Sequence, residues 1–161
     1  TVYGIEAGLK YDLAAFTNQS DFKFPLNINY TFTSAEFDSS FTSSFDEWNT
    51  VTKGDELPYV PEHQLYVSIG VEAEKWTSYL SAKYMDEMRT VAGSGPIAYG
   101  SGTDDHFIID VTAEYKLDDK SKLFASVYNL TDEAYVVARR PAGARPGAPL
   151  SILVGMKLQL N

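Results

Sequence analysis

Apolar and polar residues alternate along seven stretches of this chain, and the apolar positions carry no charged residue. In residues 3–13 the odd positions are apolar or aromatic, and the even positions hold glycine and charged residues. A period of two places successive side chains on opposite faces of a β-strand. The pattern therefore predicts seven two-faced strands. They cover residues 3–13, 26–33, 65–74, 76–85, 107–117, 123–130 and 150–160.

An uncharged face opposite a face that accepts charge is typical of a strand between lipid and an aqueous lumen. We therefore expect an all-β chain that forms part of an antiparallel up-and-down transmembrane β-barrel. The sixth stretch is the least regular, and we assign Leu123, Ala125 and Val127 to its uncharged face. Aromatic residues near both ends of the uncharged rows, such as Tyr3 and Tyr11, indicate two membrane interfaces. Aromatic residues also favour strands in general, but this placement repeats along the chain.

Short and long connections alternate between these stretches. Residues 74–75 and 118–121 predict tight hairpin turns. Because short and long connections alternate along the chain, the link over residues 14–25 is assigned to the same rim as these turns. The long loops cover residues 35–64, 86–106 and 131–148. Short turns on one rim and long loops on the other are typical of outer-membrane barrels. Such barrels use an even number of strands, so seven strands predict a segment of a larger barrel.

Composition excludes several classes of protein. The formal net charge of −9 over 161 residues argues against a nucleic-acid partner. No run approaches about 18 uncharged apolar residues, so no transmembrane helix is predicted. The chain has no cysteine, which excludes disulfides and thiolate metal sites. A mean hydropathy of −0.21 agrees with a membrane barrel, because lumen-facing polar residues offset lipid-facing apolar ones.

Two segments near the C-terminal end carry a family resemblance. Residues 129–135 read Asn-Leu-Thr-Asp-Glu-Ala-Tyr, and residues 139–149 read Arg-Arg-Pro-Ala-Gly-Ala-Arg-Pro-Gly-Ala-Pro. With residues 2–6 (Val-Tyr-Gly-Ile-Glu) and 54–63 (Gly-Asp-Glu-Leu-Pro-Tyr-Val-Pro-Glu-His), they resemble the C-terminal part of TonB-dependent outer-membrane receptors. The segment rich in arginine, proline and glycine most resembles the ferric-citrate (dicitrate) siderophore receptor branch.

This resemblance implies that residues 1–161 are the last seven strands of a 22-stranded barrel, without the N-terminal plug and the earlier strands. It implies a location in the outer membrane of a Gram-negative bacterium. The implied function is uptake of a ferric siderophore of the iron–citrate type, energised through the TonB system acting on the plug. The expected partners are the ferric chelate, outer-membrane lipid, and the plug and remaining strands of the same receptor. No enzymatic activity and no cofactor are implied.

Three arginines are the candidate ligand-binding residues. Arg139, Arg140 and Arg145 lie in the last long loop among prolines and glycines, which fix turns that can aim side chains inward. Guanidinium groups bind carboxylates in a bidentate manner, which suits a citrate-like ligand. In the alternative interpretation, these arginines pair with acidic loops or hold the last outer hairpin against the barrel wall.

Other polar residues suggest weaker hypotheses. Asp104, Asp105 and His106 offer oxygen and nitrogen ligands, but acidic loops are usually solvated, and His63 does not lie at metal-ligand spacing from His106. The acidic loop over residues 35–64 carries interleaved aromatic residues and either closes over a ligand or is simply exposed. Charged residues on the polar rows predict cross-strand ion pairs. They are Glu6, Asp12, Glu72, Asp110, Glu114, Lys10, Lys83, Lys116 and Lys157.

Two other interpretations compete with the transport receptor. A soluble lipocalin-like barrel or sandwich would use the uncharged rows as its own closed core, and alternation alone does not say which face points inward. An enzyme on an outer-membrane barrel would need a nucleophile with a histidine partner on one rim, and the sequence shows no Gly-x-Ser-x-Gly, Walker or zincin motif.

Overall fold

Seven long strands form one antiparallel sheet in the computed structural model, which describes residues 1–16 and 21–159. The seven long strands are β1 (Val2–Asp12), β2 (Pro25–Ala35), β5 (His63–Glu72), β6 (Trp76–Met85), β7 (His106–Lys116), β8 (Ser121–Tyr128) and β11 (Ser151–Leu158). Four short strands are β3 (Phe41–Thr42), β4 (Thr50–Val51), β9 (Val136–Ala138) and β10 (Arg145–Pro146). The sheet order β1-β2-β5-β6-β7-β8-β11 follows the chain, as in an up-and-down barrel wall. This confirms the all-β prediction.

The predicted strands and the long strands of the sheet differ by one or two residues at most ends. Leu13, expected to end the first strand, begins a 3₁₀ turn over Leu13–Phe16. Leu117 and Leu130 lie just beyond the ends of β7 and β8. The end of the seventh predicted stretch at Leu160, and part of the link over residues 14–25, lie outside the described residues.

Cross-strand register places the uncharged rows of all seven strands on one face of the sheet. Leu80 on β6 lies opposite Ile69 on β5 and Val111 on β7. We name this the outer face. Its rows are Tyr3, Ile5, Ala7, Leu9 and Tyr11; Leu26, Ile28, Tyr30 and Phe32; Leu65, Val67, Ile69 and Val71; Trp76, Ser78, Leu80, Ala82 and Tyr84; Phe107, Ile109, Val111, Ala113 and Tyr115; Leu123, Ala125 and Val127; and Ile152, Val154 and Met156.

The opposite face, named the inner face, carries the polar rows. Ser81 on β6 lies opposite Ser68 on β5 and Asp110 on β7. Ser68 and Asp110 are buried, whereas Leu80 on the outer face is 47% exposed. The polarity is therefore the reverse of that in a soluble sheet, where apolar side chains are buried and polar side chains face water.

The described residues contain few buried apolar side chains. These are Ala35, Val51, Ile108 and Ala138, and none belongs to an outer-face row. The uncharged rows therefore do not meet in the closed core that the soluble alternative requires. Aromatic rings of neighbouring strands lie at matching levels on the outer face, since Tyr84 pairs with Phe107 and Trp76 with Tyr115.

Short turns join the strands at one rim of the sheet. Ala73 donates its N–H to the carbonyl of Trp76, and Leu117 donates to the carbonyl of Ser121. The pKa of the Asp118 carboxyl is lowered because the Ser121 hydroxyl and the Lys120 N–H donate hydrogen bonds to it. These contacts close the tight hairpins that the sequence predicts. Among the described residues, no helix is long and apolar enough to cross a membrane.

Long loops connect the strands at the opposite rim. We name them outer loop 1 (residues 36–62), outer loop 2 (residues 86–105) and outer loop 3 (residues 129–150). Strands β3 and β4 pair within outer loop 1, and β9 and β10 pair within outer loop 3. Neither small hairpin was predicted. A two-residue strand shows no alternation, and a proline in β10 argues against a strand from sequence alone.

Candidate functional site

The base of outer loop 3 is closed by the side chain of Asn129. This residue is 1% exposed and adopts a φ of 52°, which asparagine tolerates better than most residues. Its backbone N–H donates to Oδ1 of Asp110 on β7 at 2.9 Å. Its side chain exchanges hydrogen bonds with the backbone of Glu133 and donates to the carbonyl of Ala148, each at 2.9 Å. Asn129 therefore joins both ends of the loop to the barrel wall.

Other residues of the same sequence motif strengthen this closure. Asp132 accepts a hydrogen bond from the Leu150 N–H at 3.0 Å, where the chain enters β11. The Tyr135 ring stacks on His106 with 4.3 Å between ring centroids. Gly147 donates its N–H to the Tyr135 carbonyl at 2.8 Å, and a Cβ at Gly147 would lie 2.0 Å from the tyrosine ring. The Asn-Leu-x-Asp-x-x-Tyr segment thus fixes the base of the loop.

Outer loops 1 and 2 are joined by Arg89, whose side chain is nearly buried. Its Nε donates to the Glu56 carboxylate at 2.7 Å, and its terminal nitrogen donates to the Gly95 carbonyl at 2.7 Å. The Glu56 N–H donates to the Gly93 carbonyl at 2.8 Å. Arg89 is 9% exposed, so this ion pair is less screened by water than one on an open surface.

Tyr59 of outer loop 1 contacts both other loops. Its N–H donates to the Arg89 carbonyl at 3.0 Å. Its hydroxyl accepts hydrogen bonds from the backbone N–H groups of Arg139 and Arg140, at 3.4 and 3.1 Å. No role was predicted from sequence for Tyr59, Arg89 or Asn129. The available signal was the position of Tyr59 in residues 54–63 and of Asn129 in residues 129–135, which are two of the segments that carry the family resemblance.

The three predicted ligand-binding arginines lie together on the β9–β10 hairpin. Arg139 and Arg140 follow β9, and Arg145 in β10 donates from its guanidinium to the Arg140 carbonyl at 3.4 Å. The Arg139 Nε donates to the carbonyl of Gly102 in outer loop 2. Within residues 1–16 and 21–159, none of the three arginines forms an ion pair with a carboxylate. Arg139 therefore connects outer loop 3 to outer loop 2 through a hydrogen bond to the Gly102 carbonyl.

Two open cavities lie near these loops. One, of about 540 Å³, lies between outer loops 1 and 2 and is lined by Arg89 and by several carboxylates, including Glu62, Asp86 and Asp105. The other, of about 330 Å³, lies against the inner face near the same rim, and Tyr66 contributes to its lining. The outer rim thus offers a polar recess between outer loops 1 and 2 and a more apolar recess at the inner face, both open to solvent.

The aromatic residues of outer loop 1 form a cluster of their own. Trp48 contacts the rings of Phe37, Phe41 and Phe45 edge to face, with centroid distances of 5.4, 6.0 and 5.6 Å. Phe45 and Trp48 remain exposed. The Ala92 N–H donates to the Glu47 carbonyl at 2.8 Å and joins this part of the loop to outer loop 2. The cluster packs on itself and leaves an aromatic edge open to solvent.

Three of the polar residues considered as metal ligands, Asp104, His106 and His63, form hydrogen bonds within the protein. Asp104 accepts the Val136 N–H at 2.8 Å, and the His106 Nδ1 lies 3.1 Å from the Asp104 carbonyl oxygen. His63 contacts the Tyr30 hydroxyl at 2.8 Å. In the part of the chain that the structure describes, no group of three or more histidine or carboxylate residues could hold a metal ion.

Charged residues of the inner face pair across strands, as the alternation predicts. Lys83 lies 3.2 Å from Asp110. Glu114 accepts hydrogen bonds from both Lys122 and Lys157, the latter at 3.0 Å. Lys122 was not among the predicted partners, because the sixth stretch shows the least regular alternation. The exposed pair of Lys157 and Glu114 contributes only about 0–1 kcal/mol.

Comparison with protein families identifies the sheet. The family described as "TonB dependent receptor-like, beta-barrel" matches residues 1–130, which is most of the chain. The chain belongs to this receptor family. The finding agrees with the sequential strand order and the uncharged outer face. TonB-dependent receptors are transport receptors of the Gram-negative outer membrane, and no enzyme class is implied by membership.

Solved receptors share the fold of this TonB-dependent receptor segment. The siderophore receptor PiuA from Acinetobacter baumannii is 18% identical with a TM-score of 0.71, and the alignment covers 98% of this chain and 21% of PiuA. The ferric-catecholate import receptor Fiu from E. coli K12 is 15% identical in its closed form, with a TM-score of 0.56 and coverage of 98% and 27%. The segment therefore spans about a fifth to a quarter of the solved receptors. No curated protein sequence matches it significantly.

Proposed function

We propose that residues 1–161 form the last seven strands of a 22-stranded receptor barrel that imports a ferric siderophore of the iron–citrate type. Transport is energised through TonB, which acts on a plug domain inside the barrel of the same receptor. The observation that carries this proposal is the uncharged outer face, which is continuous over seven strands and lies opposite an inner face of ion pairs. Such a wall separates hydrocarbon from an aqueous lumen.

The names of the solved receptors support a ferric chelate as the class of ligand. PiuA is a siderophore receptor and Fiu imports ferric catecholates. Both share this fold over 98% of the chain. A transport receptor of this kind captures the chelate at its outer loops and makes or breaks no covalent bond.

The charge distribution of the outer loops favours a carboxylate-bearing chelate at outer loop 3. Outer loops 1 and 2 each carry more carboxylates than cations, whereas outer loop 3 carries three arginines and two carboxylates. An anionic chelate is therefore repelled by the first two loops and attracted to Arg139, Arg140 and Arg145. None of these arginines is neutralised by an ion pair in the described residues. Their positive charges therefore remain available to an anion, which the guanidinium nitrogens not engaged with the Gly102 and Arg140 carbonyls can bind.

Uptake of radiolabelled iron(III)-citrate tests this proposal. The full-length receptor is expressed in an E. coli strain that lacks its own ferric-citrate receptor, with and without the triple change Arg139→Ala, Arg140→Ala and Arg145→Ala. We expect about a tenfold or greater loss of uptake, because each charge-assisted hydrogen bond contributes roughly 1.5–3 kcal/mol. Arg145→Ala alone should cause a smaller loss.

Lys53→Ala is the matched control, since it removes a cation from outer loop 1 and should leave uptake unchanged. The amount of folded barrel in the outer membrane is measured for every variant by its heat-dependent mobility in gels. Undiminished uptake by the triple variant would reject the ligand-binding role of the arginines. Uptake of a ferric catecholate but not of iron–citrate would reject the iron–citrate class.

A further inference from the structure

Tyr59 has a backbone conformation that requires support from its surroundings. Its φ is 59°, in the left-handed region that a bulky aromatic residue seldom occupies. Residues in such conformations persist where neighbouring contacts hold them, and they cluster at functional positions. Here the Tyr59 N–H donates to the Arg89 carbonyl at 3.0 Å, and the Leu57 N–H donates to the Ala35 carbonyl at 2.9 Å. The segment is therefore held from two sides.

The hydroxyl of Tyr59 binds two successive peptide N–H groups of a distant loop. The N–H groups of Arg139 and Arg140 both point to this oxygen, over sequence separations of 80 and 81 residues. A tyrosine oxygen has lone pairs for both donors. The contact therefore sets the position of the backbone from which two of the candidate ligand-binding side chains project.

Tyr59 is bonded to both other outer loops, and those two loops are also bonded to each other. Outer loops 2 and 3 meet at the base through the Asp104 N–H and the Val136 carbonyl, at 3.0 Å. They meet again where the Arg139 guanidinium donates to Gly102. Outer loops 1 and 2 meet at the ion pair of Arg89 and Glu56. The three loops are thus connected in a closed ring of contacts.

We propose that Tyr59 is a positioning residue, whose hydroxyl holds the backbone of Arg139 and Arg140 in place and completes the ring of contacts by bonding outer loop 1 to outer loop 3. The ligand-binding role of the arginines rests on the proposed function, but the connection between the loops does not. Tyr59 acts through the arginine backbone and has no contact of its own with the ligand.

Trypsin cleavage at the surface of intact cells tests the connection without any ligand. Outer loop 3 contains three arginines and no lysine, and Arg140 and Arg145 each precede a proline, before which trypsin does not cut. The Arg139–Arg140 bond is therefore the tryptic site of this loop. Tyr59→Phe removes only the hydroxyl. It should accelerate cleavage at this bond about tenfold, as expected for the loss of two hydrogen bonds that hold the loop closed.

Tyr99→Phe is the matched control, because Tyr99 in outer loop 2 is fully exposed and its hydroxyl has no hydrogen-bond partner in the described residues. Cleavage rates are expressed per folded barrel, so a loss of folded receptor does not affect the comparison. The parental rate in the Tyr99→Phe variant and a raised rate in Tyr59→Phe support the proposal. A Tyr59→Phe rate equal to the parental rate overturns it.

A double-mutant cycle on iron(III)-citrate uptake distinguishes positioning from general destabilisation. Tyr59→Phe should lower uptake several-fold in the parental receptor and cause no further loss when Arg139 and Arg140 are both alanine. Independent, multiplicative losses overturn the positioning role. If the parental receptor takes up no iron–citrate, the proposed function fails, and the trypsin result alone decides the role of Tyr59.

Discussion

The two faces of the sheet are formed by the same seven strands, yet they depend on their residues in different ways. The outer face has no charged residue in any row, and its side chains are Ile, Leu, Val, Ala and aromatic residues, with one methionine and one serine. The inner face contains particular pairs, such as Lys83 with Asp110 and the Phe124 ring against Gly155. Apolar burial is non-directional, whereas hydrogen bonds and close ring contacts require defined partners. The outer face is therefore specified by composition and the inner face by individual contacts.

A charge placed on the outer face should produce the largest effect. Leu80 lies near the middle of β6, between Ile69 and Val111, at the level where the barrel faces hydrocarbon. Leu80→Arg should destabilise the full-length receptor by about 2–4 kcal/mol, the usual cost of arginine at the bilayer midplane. Denaturant-induced unfolding of the receptor in lipid vesicles measures this loss.

The neighbouring residue provides the control for this prediction. Ser81 points to the inner face, where Asp110 lies directly opposite it. Ser81→Arg should change stability by only about 1 kcal/mol, because the new guanidinium lies on the polar inner face opposite the Asp110 carboxylate and not in hydrocarbon. Equal losses in Leu80→Arg and Ser81→Arg would contradict the assignment of the two faces.

Removal of one specific polar contact should have the second largest effect. Asn129→Ala leaves the N–H and carbonyl of Glu133 and the carbonyl of Ala148 without their partner, and it places alanine at a φ of 52°. We expect a loss of about 2–3 kcal/mol in stability, measured by the same unfolding experiment. Asn29→Ala, on the exposed inner face of β2, should cost less than about 0.5 kcal/mol. Similar results for the two asparagines would show that outer loop 3 does not depend on this network.

A single methyl group on the inner face should have the smallest of these effects. A Cβ at Gly155 would lie 2.4 Å from the Phe124 ring, and the Lys157 ammonium lies 5.2 Å from the centroid of the same ring. Gly155→Ala should push the ring aside and cost about 1 kcal/mol. Gly8→Ala is the control, because its Cβ would lie 3.3 Å from the Asn29 side-chain oxygen and 4.0 Å from the Ile28 carbonyl oxygen, and would meet no ring. If both variants are equally stable, the ring contact contributes nothing to the inner face.

Strand positions and faces were predictable from sequence because each depends on neighbouring residues only. The alternation around Leu80, for example, determines that its side chain and that of Ser81 point to opposite faces, independently of how distant parts of the chain fold. Even the irregular sixth stretch was assigned correctly, since Leu123, Ala125 and Val127 lie on the outer face. The strand ends were less certain, because residues such as Leu117 fit both the last strand position and the first turn position.

The candidate site was only partly predictable. The arginines lie together because Arg139, Arg140 and Arg145 are close in sequence. Their partners were not predictable, because the acidic outer loops contain many carboxylates with which the arginines could form ion pairs. The structure instead gives Arg139 a carbonyl partner at Gly102 and gives the only described ion pair of outer loop 2 to Arg89. Which group reaches an arginine depends on the path of each loop.

The amino-acid sequence by itself determined the strands, the uncharged face and the alternation of short turns and long loops. These properties follow from a two-residue period and from residue types within a few positions of each other. Only the tertiary structure decided that Tyr59 meets Arg139 and Arg140, and that Asn129 joins both ends of outer loop 3. These contacts link residues brought together by strand pairing, so their geometry exists only when the whole sheet has formed.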